Sequence, residues 1–540
     1  MPRGGSPPAV RSLAVTVAQQ SSARVAPPEP SSTAASVVST PLIVLTALAV
    51  VAGLALRFVA RTPLWLDEAL SVNIASLPVG QIPDALRHDG HPPLYYFLLH
   101  GWMELFGTTD VAVRALSGVI SVITLPLAWL VGRRRGGPVL GCITLAVVAL
   151  APFALRYATE TRMYALVMFL VFAGYLLVDD VVRRERRGWW RLALIALITA
   201  ALLYTHYWSM WFLAATFGVL AWQAWRGTAA RTGARQVLVA MVVGGLAFLP
   251  WLGVLTYQSA NTGTPWASPQ RPTSVVAVML GDFGGGGFRD AEFVGTVLAV
   301  LFLLGLFGRG IARDRIDLEL RTERQFRFEA LVVGLTLGIG TAVGYATTST
   351  FASRYASVVF PLFVIVVAGG LSRFVGKWVQ FGVVAAVLAL SLMGAFFGAT
   401  AQRTQAGQIG TAVADHAQPG DLVVYCPDQL GPSSEREMPD GLDHVVFPDF
   451  LGPERLEWVD YLDRYAAGDP ATFASQAVER AGSQHGVFLV WSGDYRGTEG
   501  KCEELAAALS GVRPGGQVLV PDGGSKYYEH AQLVWFPPST

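Results

Sequence analysis

The sequence predicts an α-helical polytopic membrane protein that ends in a separate α/β domain. Three observations carry that expectation. Of the 540 residues, 52% are hydrophobic and only 15% charged, with mean hydropathy +0.44, whereas a soluble chain carries about 25% charged residues. Apolar runs long enough to cross roughly 30 Å of hydrocarbon recur as far as residue 398. The net charge of +1 is also divided, since residues 400–540 hold 9 Lys and Arg against 20 Asp and Glu, and the rest hold 31 against 19.

The first 40 residues, rich in Ser, Pro and Ala, read as a disordered cytoplasmic tail. They lack the short apolar core and cleavage site of a removable signal peptide. Eleven transmembrane helices are expected, near residues 41–60, 112–132, 138–155, 163–179, 191–205, 209–225, 236–257, 291–308, 329–348, 357–371 and 379–398. With the N-terminus in the cytoplasm, the inner loops collect 19 Lys and Arg and the outer loops 8. This is the positive-inside pattern. It places the 61–111 loop and the C-terminal part on the same, outer face of the plasma membrane.

In residues 400–540, "DLVVYC", "GVFLVWSG" and "AQLVWFP" read as strands. The stretch "TEGKCEELAAALSG" reads as a helix ended by Gly511. Three cysteines are too few for a disulfide framework. Cys142 lies in an apolar run, and Cys426 and Cys502 are free to pair if this domain is extracytoplasmic. The "GGGG" run at 284–287 lacks the Lys-Ser/Thr of a phosphate loop. Nothing in the pattern points to nucleic acid.

Polar residues cluster at the expected outer ends of the helices. Asp67 and Glu68 in "PLWLDEALS" follow the first span, and Asp67 suits the N-cap of a short helix there. An apolar setting would raise a carboxyl's pKa toward the work of a general base. Adjacent helical residues diverge by about 100°, so one of the two faces a reacting group and the other makes structural bonds. Asp89 and His91 sit in "HDGHPPLYYFLLHGW", where a proline pair opens a helix. With Asp67 they offer ligands to a divalent cation or, alternatively, to substrate; their spacing matches no metal motif. Glu160, Arg162 and Tyr164 follow in "YATETRMYAL", and His206 in "THYWSMW". Arg354 and Tyr355 in "SRYAS" set a cation on the outer face against the charge trend, as a bidentate phosphate contact requires.

Together and in this order, these five motifs resemble the GT-C integral-membrane glycosyltransferases. The resemblance is to the bacterial branch related to protein O-mannosyltransferases and lipid A aminoarabinose transferases, and it covers roughly residues 41–400. It implies a polyprenyl-phosphate-linked sugar as donor and a glycan, lipid or protein acceptor on the outer face. It implies Asp67 as catalytic base, with Glu68 holding the acceptor or the first loop. Further matches are His91 with its two prolines, the Glu160, Arg162 and Tyr164 element, and Arg354–Tyr355, with Arg354 and then Arg162 on the phosphate. No cofactor is obligatory for that chemistry. A transporter or lipid-sugar flippase is the rival reading, though transporters place ionisable groups near the midplane in repeated halves, and no repeat is visible here.

Overall fold

The computed structural model describes residues 38–539 except 228–230, 263–268, 313–314, 348–349, 494 and 499. The expected N-terminal tail, apart from its last residues, lies outside the described residues. The eleven apolar runs all fall on helices. Five helices meet both length and composition for crossing a bilayer: Asp110–Leu150, Tyr164–Val182, Arg231–Asn261, Arg327–Thr347 and Lys377–Thr400. Four shorter apolar helices stand with them, Thr40–Leu56, Trp189–Thr205, Ala291–Phe307 and Phe360–Leu371. The chain is thus a multi-pass membrane protein.

Asp110–Leu150 is two helices in one trace. Gly136 and Gly137 leave helical geometry, Gly137 at φ +82°, just before Pro138. Only glycine reaches that φ without strain, and proline cannot donate back into the preceding turn. The break separates the two spans expected at 112–132 and 138–155. Between residues 112 and 400 the one described helix not foreseen is Pro272–Gly284, which ends in the glycine run. Another unforeseen feature is the hairpin of β1 (Gly308–Ala312) and β2 (Arg315–Leu318), inside the arginine-rich segment.

The 61–111 loop is helical for most of its length: Leu66–Ala75, Ile82–Asp89 and Leu94–Phe106. Leu94–Phe106 begins right after the proline pair, as expected. The N-cap of the first is Trp65, so Asp67 lies inside the first turn and is not the cap. The side chains of this loop run into the main apolar core: Leu70, Ile74, Tyr95, Tyr96 and Leu99 are buried with Phe153, Tyr164 and Phe360.

Beyond residue 400 the chain forms a five-stranded mixed sheet in the order β4-β3-β5-β7-β6. Its strands are β3 (Leu422–Cys426), β4 (Asp443–Val446), β5 (Val487–Trp491), β6 (Gln517–Val520) and β7 (Gln532–Phe536). β3 pairs parallel with β4 and β5, while β7 runs antiparallel to both β5 and β6. β3 and β5 are buried on both faces, which is why they read as unbroken apolar runs. Separate cores lie on the two faces, one with Phe473 and Leu505, the other with Ile409 and Leu533. The helix Lys501–Val512 runs through Gly511 and stops one residue later. Its Cys502 is joined to Cys426 at the end of β3.

Candidate active site

The site is assembled where the first-loop helix Leu66–Ala75 meets the 156–164 segment and the 3-10 turn Ser353–Val358. The Asp67 carboxyl stands between two guanidiniums. Its Oδ2 lies 3.7 Å from Arg162 and 3.7 Å from Arg354. That oxygen accepts no hydrogen bond within the described residues, and the side chain keeps 16% of its surface open. Burial alone pushes this carboxyl up, but the charges of Arg162 and Arg354 outweigh it and leave the group below the ordinary range. The expectation of a raised Asp67 pKa is therefore corrected: the apolar setting is present, and two cations override it.

Arg162 is held in place by its neighbours. It donates to Ser71 Oγ at 3.0 Å, to the Asp67 carbonyl at 3.3 Å and to His91 Nε2 at 2.9 Å. A guanidinium only donates, so His91 Nε2 accepts and the ring proton sits on Nδ1. That proton is given to Asp89 Oδ2 at 2.7 Å, which also accepts from Tyr96 at 3.2 Å. Asp89, His91, Arg162 and Asp67 thus form one polarised chain. Asp89 and His91 orient Arg162, and among the described residues no cluster of three or more His, Cys, Asp or Glu groups fits a metal ion.

Glu68 points elsewhere. It is fully buried and bidentate to Arg114, at 2.8 and 2.6 Å. It also accepts from the Thr161 amide at 2.9 Å and lies 3.6 Å from Arg403. Burial pushes it up, but Arg114 and Arg403 with these hydrogen bonds bring it below the usual carboxylate range. Its bonds tie the first loop to the 159–163 segment. Glu160 is buried between Arg156 and Arg403, 3.9 Å from each. Its carboxyl is pushed up by burial, which the arginines only partly offset.

The aromatic members form a wall. The His206 ring centroid lies 5.7 Å from Tyr164 and 5.1 Å from Tyr355, and His206 Nδ1 accepts from the Trp208 amide at 3.1 Å. Arg354 stands over the Tyr355 ring at 5.9 Å. The structure therefore gathers Asp67, Asp89, His91, Arg162, Tyr164, His206, Arg354 and Tyr355, from segments almost 290 residues apart, while Glu68 and Glu160 support them from behind.

Residues 90–253 match the family model described as dolichyl-phosphate-mannose-protein mannosyltransferase. The fold superposes on ArnT from Cupriavidus metallidurans in the apo state with TM-score 0.55 and 12% identity, over 91% of this chain and 97% of that one. ArnT from the same organism bound to undecaprenyl phosphate gives TM-score 0.52 and 14% identity over the same shares. By fold this chain is similar to ArnT along nearly its whole length. No curated protein sequence matches it significantly.

Several residues of the site escape a reading of the sequence. Arg114 and Arg403 hold Glu68, and Arg156 with Tyr157 grips Asp282 on the unforeseen helix at 3.2 and 3.0 Å. Glu529, from the sheet domain, accepts from the Leu66 amide at 3.2 Å, one residue before Asp67. Arg114 and Arg156 were visible as outer arginines, but nothing local in the sequence names their partners.

Proposed function

We propose that this chain transfers a sugar from a polyprenyl-phosphate-linked donor to an extracytoplasmic glycan, lipid or protein acceptor, with inversion. One observation carries the reading: a partly open carboxylate, Asp67, is held between two arginines at the bilayer-edge end of the helices. ArnT, whose fold it shares, has been captured with undecaprenyl phosphate. The lysine and arginine distribution supports a cytoplasmic N-terminus and puts the site and the sheet domain outside the cytoplasm.

The chemistry follows from the parts. The donor phosphate displaces Asp67 from Arg354 and Arg162, which pair better with a phosphate than with one carboxylate oxygen at 3.7 Å. Losing those cations raises the proton affinity of Asp67 at the moment a base is needed. An acceptor hydroxyl then attacks the anomeric carbon. Its proton passes to Asp67, the new C–O bond forms opposite the old one, and the C–O bond to phosphorus breaks. The electron pair leaves on the polyprenyl phosphate, whose charge the arginines stabilise. His91 and Asp89 keep Arg162 aimed, and Tyr164, His206 and Tyr355 close the site against water. This scheme routes no step through a cation.

The test is sugar transfer by purified Asp67→Asn and Arg354→Ala variants, supplied with polyprenyl-phosphate mannose and polyprenyl-phosphate arabinose. Both should lose at least a hundredfold in turnover; near-wild-type rates in the two variants would sink the assignment.

A further inference from the structure

The sheet domain meets the first-loop helix Leu66–Ala75 at the carboxyl end of its parallel strands. In the order β4-β3-β5, the first strand lies in the middle with its successors on either side. Loops leaving the carboxyl ends of β3 and β5 therefore diverge, and open α/β sheets bind ligands in that crevice. The loop after β3 runs into the short helix Gly431–Glu435, which packs on the helix Leu66–Ala75. Ser433 on that helix donates to Glu529 at 2.6 Å, and Glu529 accepts in turn from the Leu66 amide. Glu529, held by Ser433 from the other end of the domain, thus grips the turn that carries Asp67.

Beside Glu529 stands Tyr528, and its setting is unusual. Glu529 is 3% exposed and fixed, whereas Tyr528 keeps 62% of its surface open. Its ring meets Trp65 edge-on, with centroids 4.9 Å apart and planes at 89°. Trp65 is the N-cap of the helix Leu66–Ala75, so this contact places Tyr528 against the turn that carries Asp67. Trp65 is 5% exposed, and its buried indole N–H has no partner within the described residues. A large aromatic ring left open and braced at a right angle on the residue two before Asp67 suits a ligand surface and contributes little to the core.

We infer that the sheet domain completes the active site and that Tyr528 is a positioning residue, its ring seating a neutral sugar of the acceptor beside Asp67. This rests on the reading of Asp67 as the base. An aromatic face packs the C–H side of a sugar ring while leaving its hydroxyls free, one of them within reach of the carboxylate. The domain's 20 acids against 9 bases repel acidic acceptors, which favours a neutral glycan over an acidic or phosphorylated peptide.

The experiment uses the full chain in nanodiscs with octyl mannoside, octyl arabinoside and a Ser/Thr-rich peptide as acceptor probes and the two lipid-phosphate sugars as donors. Tyr528→Ala should raise the glycoside KM at least tenfold while kcat falls less than threefold and polyprenyl phosphate affinity changes less than twofold. Tyr528→Phe, which keeps the ring, should stay within threefold of wild type throughout. An unchanged glycoside KM in Tyr528→Ala, or transfer to the peptide alone, overturns the inference. A second readout is independent of turnover: in Tyr528→Cys, either glycoside at millimolar concentration should slow maleimide labelling at position 528 several-fold. Lack of protection there also overturns it. Protection by glycoside in a protein that neither binds polyprenyl phosphate nor transfers sugar would leave this inference standing and remove the proposed donor.

Discussion

Replacing Asp67 by asparagine should have two opposite effects in one protein. Turnover falls, because the amide cannot accept the acceptor's proton; positioned general bases contribute about 10²–10⁴-fold. Binding of polyprenyl phosphate tightens, because the same carboxylate is what the phosphate must displace. Asp67 Oδ2 lies 3.7 Å from each of Arg162 and Arg354, and at an effective dielectric of about 20 each pair is worth about 4 kcal/mol of attraction. The partial exposure of Asp67 and Arg354 screens some of this, yet a third of one pair already corresponds to about tenfold in affinity. The assay is equilibrium binding of a polyprenyl phosphate to wild type and Asp67→Asn in nanodiscs, read beside initial rates of transfer. Tenfold tighter binding with at least a hundredfold slower transfer is expected. Equal or weaker binding in the variant would refute the idea that carboxylate and phosphate compete for the two arginines.

Glu68→Gln should instead act on stability, since it leaves Arg114 buried without its counter-charge; breaking such a pair costs about 3–5 kcal/mol. An unchanged thermal midpoint in detergent would contradict the buried-pair reading. Glu529 is pushed up to about 7 by burial, against hydrogen bonds from Ser433, Thr404 and Leu66 that pull it down. A carboxyl whose folded pKa exceeds its unfolded one binds more protons folded, so this contribution is full below about 4.5 and is lost as pH rises through about 7. Wild type should therefore melt at lower temperature at pH 8 than at pH 6. Asp428, pushed up to about 6 by burial, adds to the same slope, so the decisive comparison is Glu529→Gln, whose slope should be shallower; identical slopes would exclude Glu529 as a contributor. Reduction of Cys426–Cys502, which closes a loop of 76 residues, should cost about 4 kcal/mol and speed proteolysis of the sheet domain in the full chain, and equal cleavage rates with and without reductant would count against it.

The membrane helices were legible because hydrocarbon demands long apolar runs, and the runs on either side of the Gly136–Gly137 break read as two separate spans. Helix Pro272–Gly284 was missed because, at 13 residues, it falls short of a span. In the sheet domain the buried strands β3, β5 and β7 were readable as apolar runs. β4 and β6 were not, since four residues each, only partly buried, leave too little pattern. In the site, residue types and their order named Asp67, His91, Arg162 and Arg354, which the fold does bring together. The direction of the Asp67 shift was misjudged because it depends on distances to two arginines that are far away in sequence. Glu529 was invisible for the same reason: its bond to Leu66 spans 463 residues, and neither end carries a local signal.

The most direct test is a structure of the full chain in a nanodisc with a polyprenyl phosphate bound. The account predicts the phosphate within hydrogen-bonding distance of Arg354 and Arg162, with Asp67 turned from both and free to face an acceptor. A phosphate seated among the arginines at the other end of the bundle, around Arg134 and Arg183, with Asp67 still paired to Arg162 and Arg354, would contradict it.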